Sequence, residues 1–322
     1  MNPQFISAEE ISQSFSFQAG VEAIEAALLN GVDPSADLPR SILPIDKGEM
    51  LVMPASSTDG SGIKVLTIAP NNALLNAPRI QGLYLLFDRE NLSVSSILDG
   101  AALTTYRTPA VSVAAIRQAL CLSDNDLSIV VFGSGPQAIS HIQTLAEVVS
   151  SRAQISNVAF IVRDTEKANQ RIPDSAKLGL TPDCKVQILA IDSAEVTELL
   201  KSADLVIAAT TSRTPLFDSA LLKDSVIVIA VGSHEPTVRE IGSHLLARAQ
   251  VVVETRASAL REAGDVIMAI NERAIEINEL VEMADVVCGR VKLNRSRPIL
   301  FKSSGMSWED LVIARAVEDS LH

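Results

Sequence analysis

The chain is poor in aromatic residues: its 322 positions hold eight Phe, two Tyr and one Trp. Its core must therefore be built from Val, Ile, Leu and Ala, and with 47% apolar residues there is enough to bury a large one. Positive charge is also scarce, 27 Lys and Arg against 39 Asp and Glu, for a formal charge of −12. That balance argues against nucleic acid and against an anionic membrane as partners. Cys121, Cys184 and Cys288 are scattered and form no C-x-x-C pair, so no disulfide framework and no metal site is expected, and the three are read as small core residues. No basic segment leads into an apolar run at the N-terminus, and no stretch approaches the roughly 18 apolar residues of a membrane span. The expectation is a cytoplasmic protein of two domains.

Ser7-Ala-Glu-Glu10 fits a capping box and predicts a helix reaching about Leu29. After a Pro-containing connection, short runs at 50–53, 62–69, 80–88 and 92–98 have the spacing of a strand meander. Gly100 to Leu120 reads as two helices interrupted at Arg107-Thr108-Pro109, with Thr108 as N-cap and Pro109 at the first helical position. Beyond Leu122 the pattern becomes six buried apolar runs, at 127–132, 158–162, 186–191, 204–210, 226–231 and 250–254, alternating with helical stretches. Strands apolar on both faces call for a parallel sheet covered by helices. The expected fold is α/β: a Rossmann-type doubly wound parallel sheet over 122–301, plus a second, discontinuous α+β domain for substrate and dimerisation from 1–121 and 302–322. The helix from Ser307 is expected to return to that second domain.

The first buried run leads into Gly133-Ser134-Gly135-Pro136-Gln137-Ala138 and then a helix, the strand-to-helix setting of a G-x-G-x-x-G/A loop. Gly133 permits the tight turn, Gly135 lets a pyrophosphate approach the backbone, and Ala138 allows close helix packing. The helix N-terminus supplies amides and positive potential for phosphates. The second run ends at Arg163-Asp164-Thr165. Asp164 there would take the ribose diol of NAD(H), whereas Arg163 with Lys167 would take the 2′-phosphate of NADP(H); the balance leans to NADP(H). Thr210 and Thr211 after the fourth run, and Val231 and Gly232 with His234 after the fifth, lie at the same edge, where such sheets bind ligands.

In so acidic a chain, a cation inside an apolar element needs a reason. Lys64 interrupts Gly62-Ile-Lys-Val-Leu-Thr-Ile68, Arg107 sits at the expected helix break beside a free N-terminus, and Arg40 follows Pro39. If the three converge, they make an anion site, with the guanidinium groups matching a carboxylate and the lysine adding a point charge or a proton.

Together these segments resemble the ornithine cyclodeaminase/mu-crystallin family over nearly the whole chain. The likeness rests on Pro39-Arg40, Met53-Pro54-Ala55, Gly62-Ile-Lys64, Gln81-Gly82-Leu83, Leu85-Leu-Phe-Asp88, Leu98-Asp-Gly100, Leu103-Thr-Thr-Tyr-Arg107-Thr108, the Gly133 loop with Gln137, Ala209-Thr210 and Phe301-Lys-Ser-Ser-Gly305. It implies a homodimer, carboxylate anchors at Arg40, Lys64 and Arg107, cofactor contacts that include Thr108 and Ser134, and hydride exchange between a nicotinamide and the α-carbon of an amino or imino acid. Ornithine cyclodeaminases carry a catalytic aspartate where this chain has His234, and a histidine does not reproduce a permanent carboxylate. The reading that follows is an NAD(P)H-dependent reductase of small cyclic 2-imino acids, acting with Lys64, Arg107, Arg40 and His234. The alternatives are ornithine cyclodeamination and a non-catalytic NADPH-binding protein of the crystallin type.

Overall fold

The structure, a computed structural model, describes residues 3–58, 60–75, 77–121, 126–149 and 153–321. The chain divides into two compact units, Met1–Val111 with Gly305–His322, and Ser112–Ser304.

The first unit begins with β1 (Gln4–Ile6) and α1 (Ala8–Ser14), whose capping box pairs the Ser7 hydroxyl with the Glu10 amide and the Glu10 carboxylate with the Ser7 amide. The expected single helix is two. Phe15 is extended, and the Ser16 hydroxyl accepts from the Ala19 amide to start α2 (Phe17–Leu29), so a second cap competes with continuation. Five strands follow: β2 (Ser41–Ile45), β3 (Gly48–Ser57), β4 (Gly60–Ile68), β5 (Ile80–Phe87) and β6 (Val94–Asp99). They lie in the order β1-β6-β5-β4-β3-β2, antiparallel except where β1 joins β6. β2 tolerates Pro44 because it is an edge strand, with one row of amides outside the ladder.

Next comes α3 (Gly100–Leu120), one unbroken helix with Pro109 inside it. Thr108 is therefore an interior residue and caps nothing, and Arg107 has no free helix end beside it. Pro109 removes one helical hydrogen bond, a cost of about 3 kcal/mol. Burial of Leu103, Tyr106, Ala110, Val111 and Val113 through Ile116 offsets it, at about 1.5–3 kcal/mol per large apolar side chain.

The second unit contains β7 (Leu127–Phe132), α4 (Pro136–Val149), β8 (Ile155–Val162), α5 (Thr165–Arg171), β9 (Lys185–Ala190), α6 (Glu195–Ser202), β10 (Leu205–Ala208) and β11 (Ile227–Ala230). It continues with α7 (Ser243–Arg248), β12 (Gln250–Val253), α8 (Arg256–Glu262), α9 (Gly264–Asn271), β13 (Val281–Glu282), α10 (Met283–Val287) and β14 (Ile299–Lys302). The sheet is all parallel in the order β13-β12-β14-β11-β10-β7-β8-β9, a doubly wound Rossmann-type arrangement. The six expected strands are present, and two more join them. β13 extends one edge, and β14, which is not among the six runs, lies between β11 and β12. The units divide at 111/112 and 304/305, whereas the sequence suggested 121/122 and 301/302. Ser112 and Gln118 bond within the second unit, to His141 and to the Leu293 amide. After β14, Ser303 and Ser304 are still held by the Glu254 carboxylate.

The chain returns to the first unit as α11 (Ser307–Ser320), which packs on α2 and on β3, β4 and β5. Asp37 accepts from the amides of Ser307 and Trp308 and so satisfies the start of this helix. Cys184 is buried, but Cys288 is only partly so and Cys121 is exposed, which corrects the expectation of three core cysteines. No helix is long and apolar enough to cross a membrane among the described residues.

Candidate functional site

In the first unit, strand register sets the anion site. Met53, Lys64, Tyr84 and Leu98 are successive cross-strand partners, so their side chains form one row on the sheet face beneath α11. Lys64 is thereby sunk among apolar neighbours at 1% exposure. Its ammonium reaches Asp310 Oδ2 on the first turn of α11 at 2.5 Å. Burial pushes the Lys64 pKa down to about 8: Asp310 works against that shift, while the charges of Arg107 and Arg40 add to it. The three expected cations therefore share one electrostatic environment.

Arg107 is buried and donates from Nη1 to Glu309 Oε2 at 3.0 Å, with Nε 3.6 Å from Asp310 Oδ1. Arg40 donates to the Gly305 carbonyl. Gly305 has φ +86°, and a Cβ there would fall 2.5 Å from the Arg107 guanidinium, so only glycine suits both contacts. Glu309 and Asp310 were not singled out from the sequence. Two acids in the first turn of a helix read as ordinary dipole partners, and nothing in the spacing ties them to Lys64 or Arg107.

In the second unit the dinucleotide residues gather at the carboxyl ends of the adjacent strands β8, β7, β10 and β11. Gly133 turns out of β7 at φ +115°, and a Cβ there would lie 2.5 Å from the Ala209 carbonyl. A Cβ on Gly135 would meet nothing within 4 Å, which leaves open room over the backbone at Ser134–Gly135. Ala138 is fully buried against the sheet. This cradle at the start of a helix of 14 residues suits a pyrophosphate. His141, one turn on, holds the cradle from below: Nδ1 lies 2.7 Å from the Gln137 carbonyl and Nε2 3.0 Å from the Ser112 hydroxyl. A carbonyl only accepts, so Nδ1 carries the proton and Nε2 accepts from Ser112.

At the end of β8, Arg163 is exposed and Thr165 half-buried. Asp164 is the N-cap of α5, its Oδ1 accepting from the Lys167 amide at 2.9 Å. Thr210 and Gly232 have a protein partner at these strand ends. Glu240, buried in the loop after β11, accepts from the Thr210 amide (2.8 Å), the Thr210 hydroxyl (2.6 Å) and the Gly232 amide (2.7 Å). Those polar groups brace two strand-end loops together instead of standing open to a ligand. Burial raises the Glu240 pKa, against the pull of Lys302 and of its hydrogen bonds. Lys302 in turn pairs with buried Asp265 at 3.2 Å and donates to the Ser233 carbonyl, and Asp265 accepts from the Glu240 and Ile241 amides. This buried network was missed; its one sequence signal is a lysine ending the apolar run Ile299-Leu-Phe-Lys302. Val231 continues from β11, and its amide bonds to the Ala208 carbonyl. Thr211 is exposed, and half-buried His234 sits in the braced loop, Nδ1 3.4 Å from the Gly232 carbonyl. Thr108 is buried in α3, within the first unit.

A profile of the ornithine cyclodeaminase/mu-crystallin family matches residues 1–322. The chain belongs to that family. It is 30% identical to ketimine reductase mu-crystallin of Mus musculus over 327 aligned positions, covering 99% of this chain and 97% of the mouse protein. It is also 30% identical to a Delta(1)-pyrroline-2-carboxylate reductase of Bacillus cereus, covering 91% and 90%. Among solved structures it is similar to Thermococcus litoralis Delta(1)-pyrroline-2-carboxylate reductase in complex with NADH and L-proline, with a TM-score of 0.85, 25% identity and coverage of 98% and 97%. These members of the family are reductases of imines.

Proposed function

We propose that the chain is an NAD(P)H-dependent reductase of small cyclic 2-imino acids, converting Δ1-pyrroline-2-carboxylate to proline or Δ1-piperideine-2-carboxylate to pipecolate. The observation that carries this reading is the buried lysine flanked by two arginines in a unit separate from the dinucleotide cradle. A planar carboxylate suits the guanidinium forks of Arg40 and Arg107, which fix the orientation of the imine carbon. When bound, the reduced nicotinamide supplies the hydride. Lys64, with a pKa near 8, is mostly protonated at pH 7 and still able to release its proton to the imine nitrogen, which makes the carbon a better hydride acceptor. His234 lies in the braced loop of the second unit, its Nδ1 beside the Gly232 carbonyl.

The residues after β8 favour NADPH over NADH. The Asp164 carboxylate is engaged at the Lys167 amide, and the Arg163 and Lys167 side chains are exposed beside it to meet a 2′-phosphate. The test is loss of reduced-cofactor absorbance at 340 nm on addition of either cyclic imine. Turnover is expected with at least one imine, faster with NADPH; a folded protein inert to both imines with both cofactors overturns the reading. Ornithine cyclodeamination, the alternative, lacks its carboxylate at His234, and ammonia release from ornithine would establish it instead.

A homodimer accompanies this reading. The first unit's sheet is apolar on its second face as well: Val52, Val65 and Leu83 form one cross-strand row, and Ile63, Leu85 and Ile97 another. Leu83 is 43% exposed, and Ile42 and Leu43 on the edge strand are similarly open. An apolar surface of this kind marks an interaction site. Leu83→Glu is expected to convert a dimer to monomer in analytical ultracentrifugation, and an unchanged sedimentation coefficient would remove the face from the interface. A cytosolic location belongs to the same reading, since Cys121, Cys184 and Cys288 are scattered and form no C-x-x-C pair.

A further inference from the structure

We propose that Asp310 is a positioning residue of this reaction: it holds the Lys64 ammonium and the Arg107 guanidinium in one array, so that a substrate carboxylate and its imine nitrogen meet a fixed arginine beside a protonated lysine. The assignment rests on the imine-reductase reading, and it names a residue that reading does not require.

The geometry is a carboxylate shared between two cations. Asp310 Oδ2 accepts from Lys64 Nζ at 2.5 Å, and Oδ1 lies 3.6 Å from Arg107 Nε. All three side chains are buried, where a charge is tolerated only if paired. Lys64 projects from a strand and Arg107 from α3, so neither can set the other's position. Asp310, on the first turn of α11, bridges them, and α11 is itself fixed at that end by Asp37. The Lys64 Nζ also stands 3.5 Å from the Thr104 hydroxyl, one helical turn before Arg107 on α3, which limits how far the ammonium can swing when a substrate arrives.

The charged and titratable groups around the pair are few. Lys64 is influenced by Asp310, Arg107 and Arg40. Tyr84, its cross-strand neighbour, is buried with no hydrogen-bond partner for its hydroxyl among the described residues, and burial together with Asp310 holds its pKa well above the usual phenol range; Arg315 and Asp37 act on it with opposite signs. Tyr84 therefore stays neutral through the range where Lys64 titrates. Of the charged groups that act most strongly on Lys64, Asp310 favours the ammonium, against burial and two arginines. Without it, the lysine would lose its proton nearer neutrality and have none to give.

Two measurements test this. The first follows the Lys64 side-chain resonance by NMR against pH, without substrate, in the wild-type chain and in Asp310→Asn. The titration is expected to fall by one pH unit or more in the variant, so that at pH 8 the ammonium fraction drops from about half to a tenth or less. The second is the basic limb of kcat/KM for the cyclic imine, which should move down by the same amount while the Kd for NADPH is unchanged. Asp310→Glu keeps the charge and is expected to hold the titration at its wild-type position, giving an independent reading should the asparagine variant not fold. An unmoved Lys64 titration in Asp310→Asn, or a displaced one in Asp310→Glu, overturns the assignment. The NMR arm needs no turnover, so an enzyme inert to cyclic imines would overturn the functional reading and leave the role of Asp310 to be decided on its own.

Discussion

Replacing Arg107 by leucine is expected to lower kcat/KM for the cyclic imine by about 10²- to 10³-fold and to destabilise the first unit in the same stroke. The catalytic loss follows from truncating a buried, hydrogen-bonded charge that meets a substrate carboxylate, which costs about 2–5 kcal/mol. The loss of stability has a separate origin. Arg107 neutralises Glu309 and part of Asp310, both fully buried, and removing one member of such a set costs about 3–5 kcal/mol. Arg107→Lys separates the two effects. It restores charge beside Glu309 and so recovers part of the stability, yet it lacks the planar fork and should stay well below wild type in rate. The Kd for NADPH should hardly change in either variant, because the cradle at Gly133 and Gly135 belongs to the other unit. Steady-state kinetics, a urea melt and cofactor titration read the three quantities, and an unaffected rate in Arg107→Leu would remove this residue from the site.

Acid should unfold the second unit ahead of the loss of its surface ion pairs, because of His141. Burial lowers its pKa to about 4 from an ordinary 6.5, outweighing the hydrogen bond to the Gln137 carbonyl, which acts to raise it. Above pH 6.5 the ring is neutral in both folded and unfolded chains, and its contribution is complete. Below that the unfolded chain takes up a proton that the folded one refuses, so stability falls with falling pH until about pH 4. The span corresponds to roughly 3 kcal/mol, lost at up to about 1.4 kcal/mol per pH unit. The folded ring keeps its neutral form and its bond to Gln137 over this window, so the cofactor affinity of the folded chain should hold until about pH 4. Urea melts between pH 7 and 4.5 check this. His141→Gln keeps a donor and an acceptor without a titrating group, and it should flatten the slope; the same slope in both proteins would exonerate the histidine.

The sequence shows the parts of this molecule that depend on one residue's chemistry and hides those that depend on meetings between distant ones. Most of the six expected strands of the parallel sheet are legible because both faces are buried and the run is mainly apolar, whereas β9 at the edge is only half-buried and carries Gln187. β14 is hidden by Lys302, whose charge reads as exposure until Asp265 and the Ser233 carbonyl are seen to receive it. Pro109 and Thr108 suggest a helix break because local propensity favours one, and tertiary burial overrides it. Arg40, Lys64 and Arg107 stand out because cations in apolar runs are unusual. Their acidic partners do not, since a chain with 39 acidic residues gives no reason to choose Glu309 and Asp310 among them. Thr210 and Gly232 sit where the motif places them, but Glu240, which fixes their polar groups, is eight residues past Gly232 and visible only once the loop is folded.

The place of β14 bears on how the chain is made. It lies in the middle of the parallel sheet, between β11 and β12, although its residues come near the end of the sequence. Until residues 299–302 are made, β11 and β12 have no strand between them, and the edges that face β14 stay unpaired. The first unit waits as well, because the Lys64–Asp310 and Arg107–Glu309 pairs form only when α11 arrives. The parallel sheet therefore cannot close before residues 299–302 are made, and a shorter chain exposes strand edges that invite aggregation.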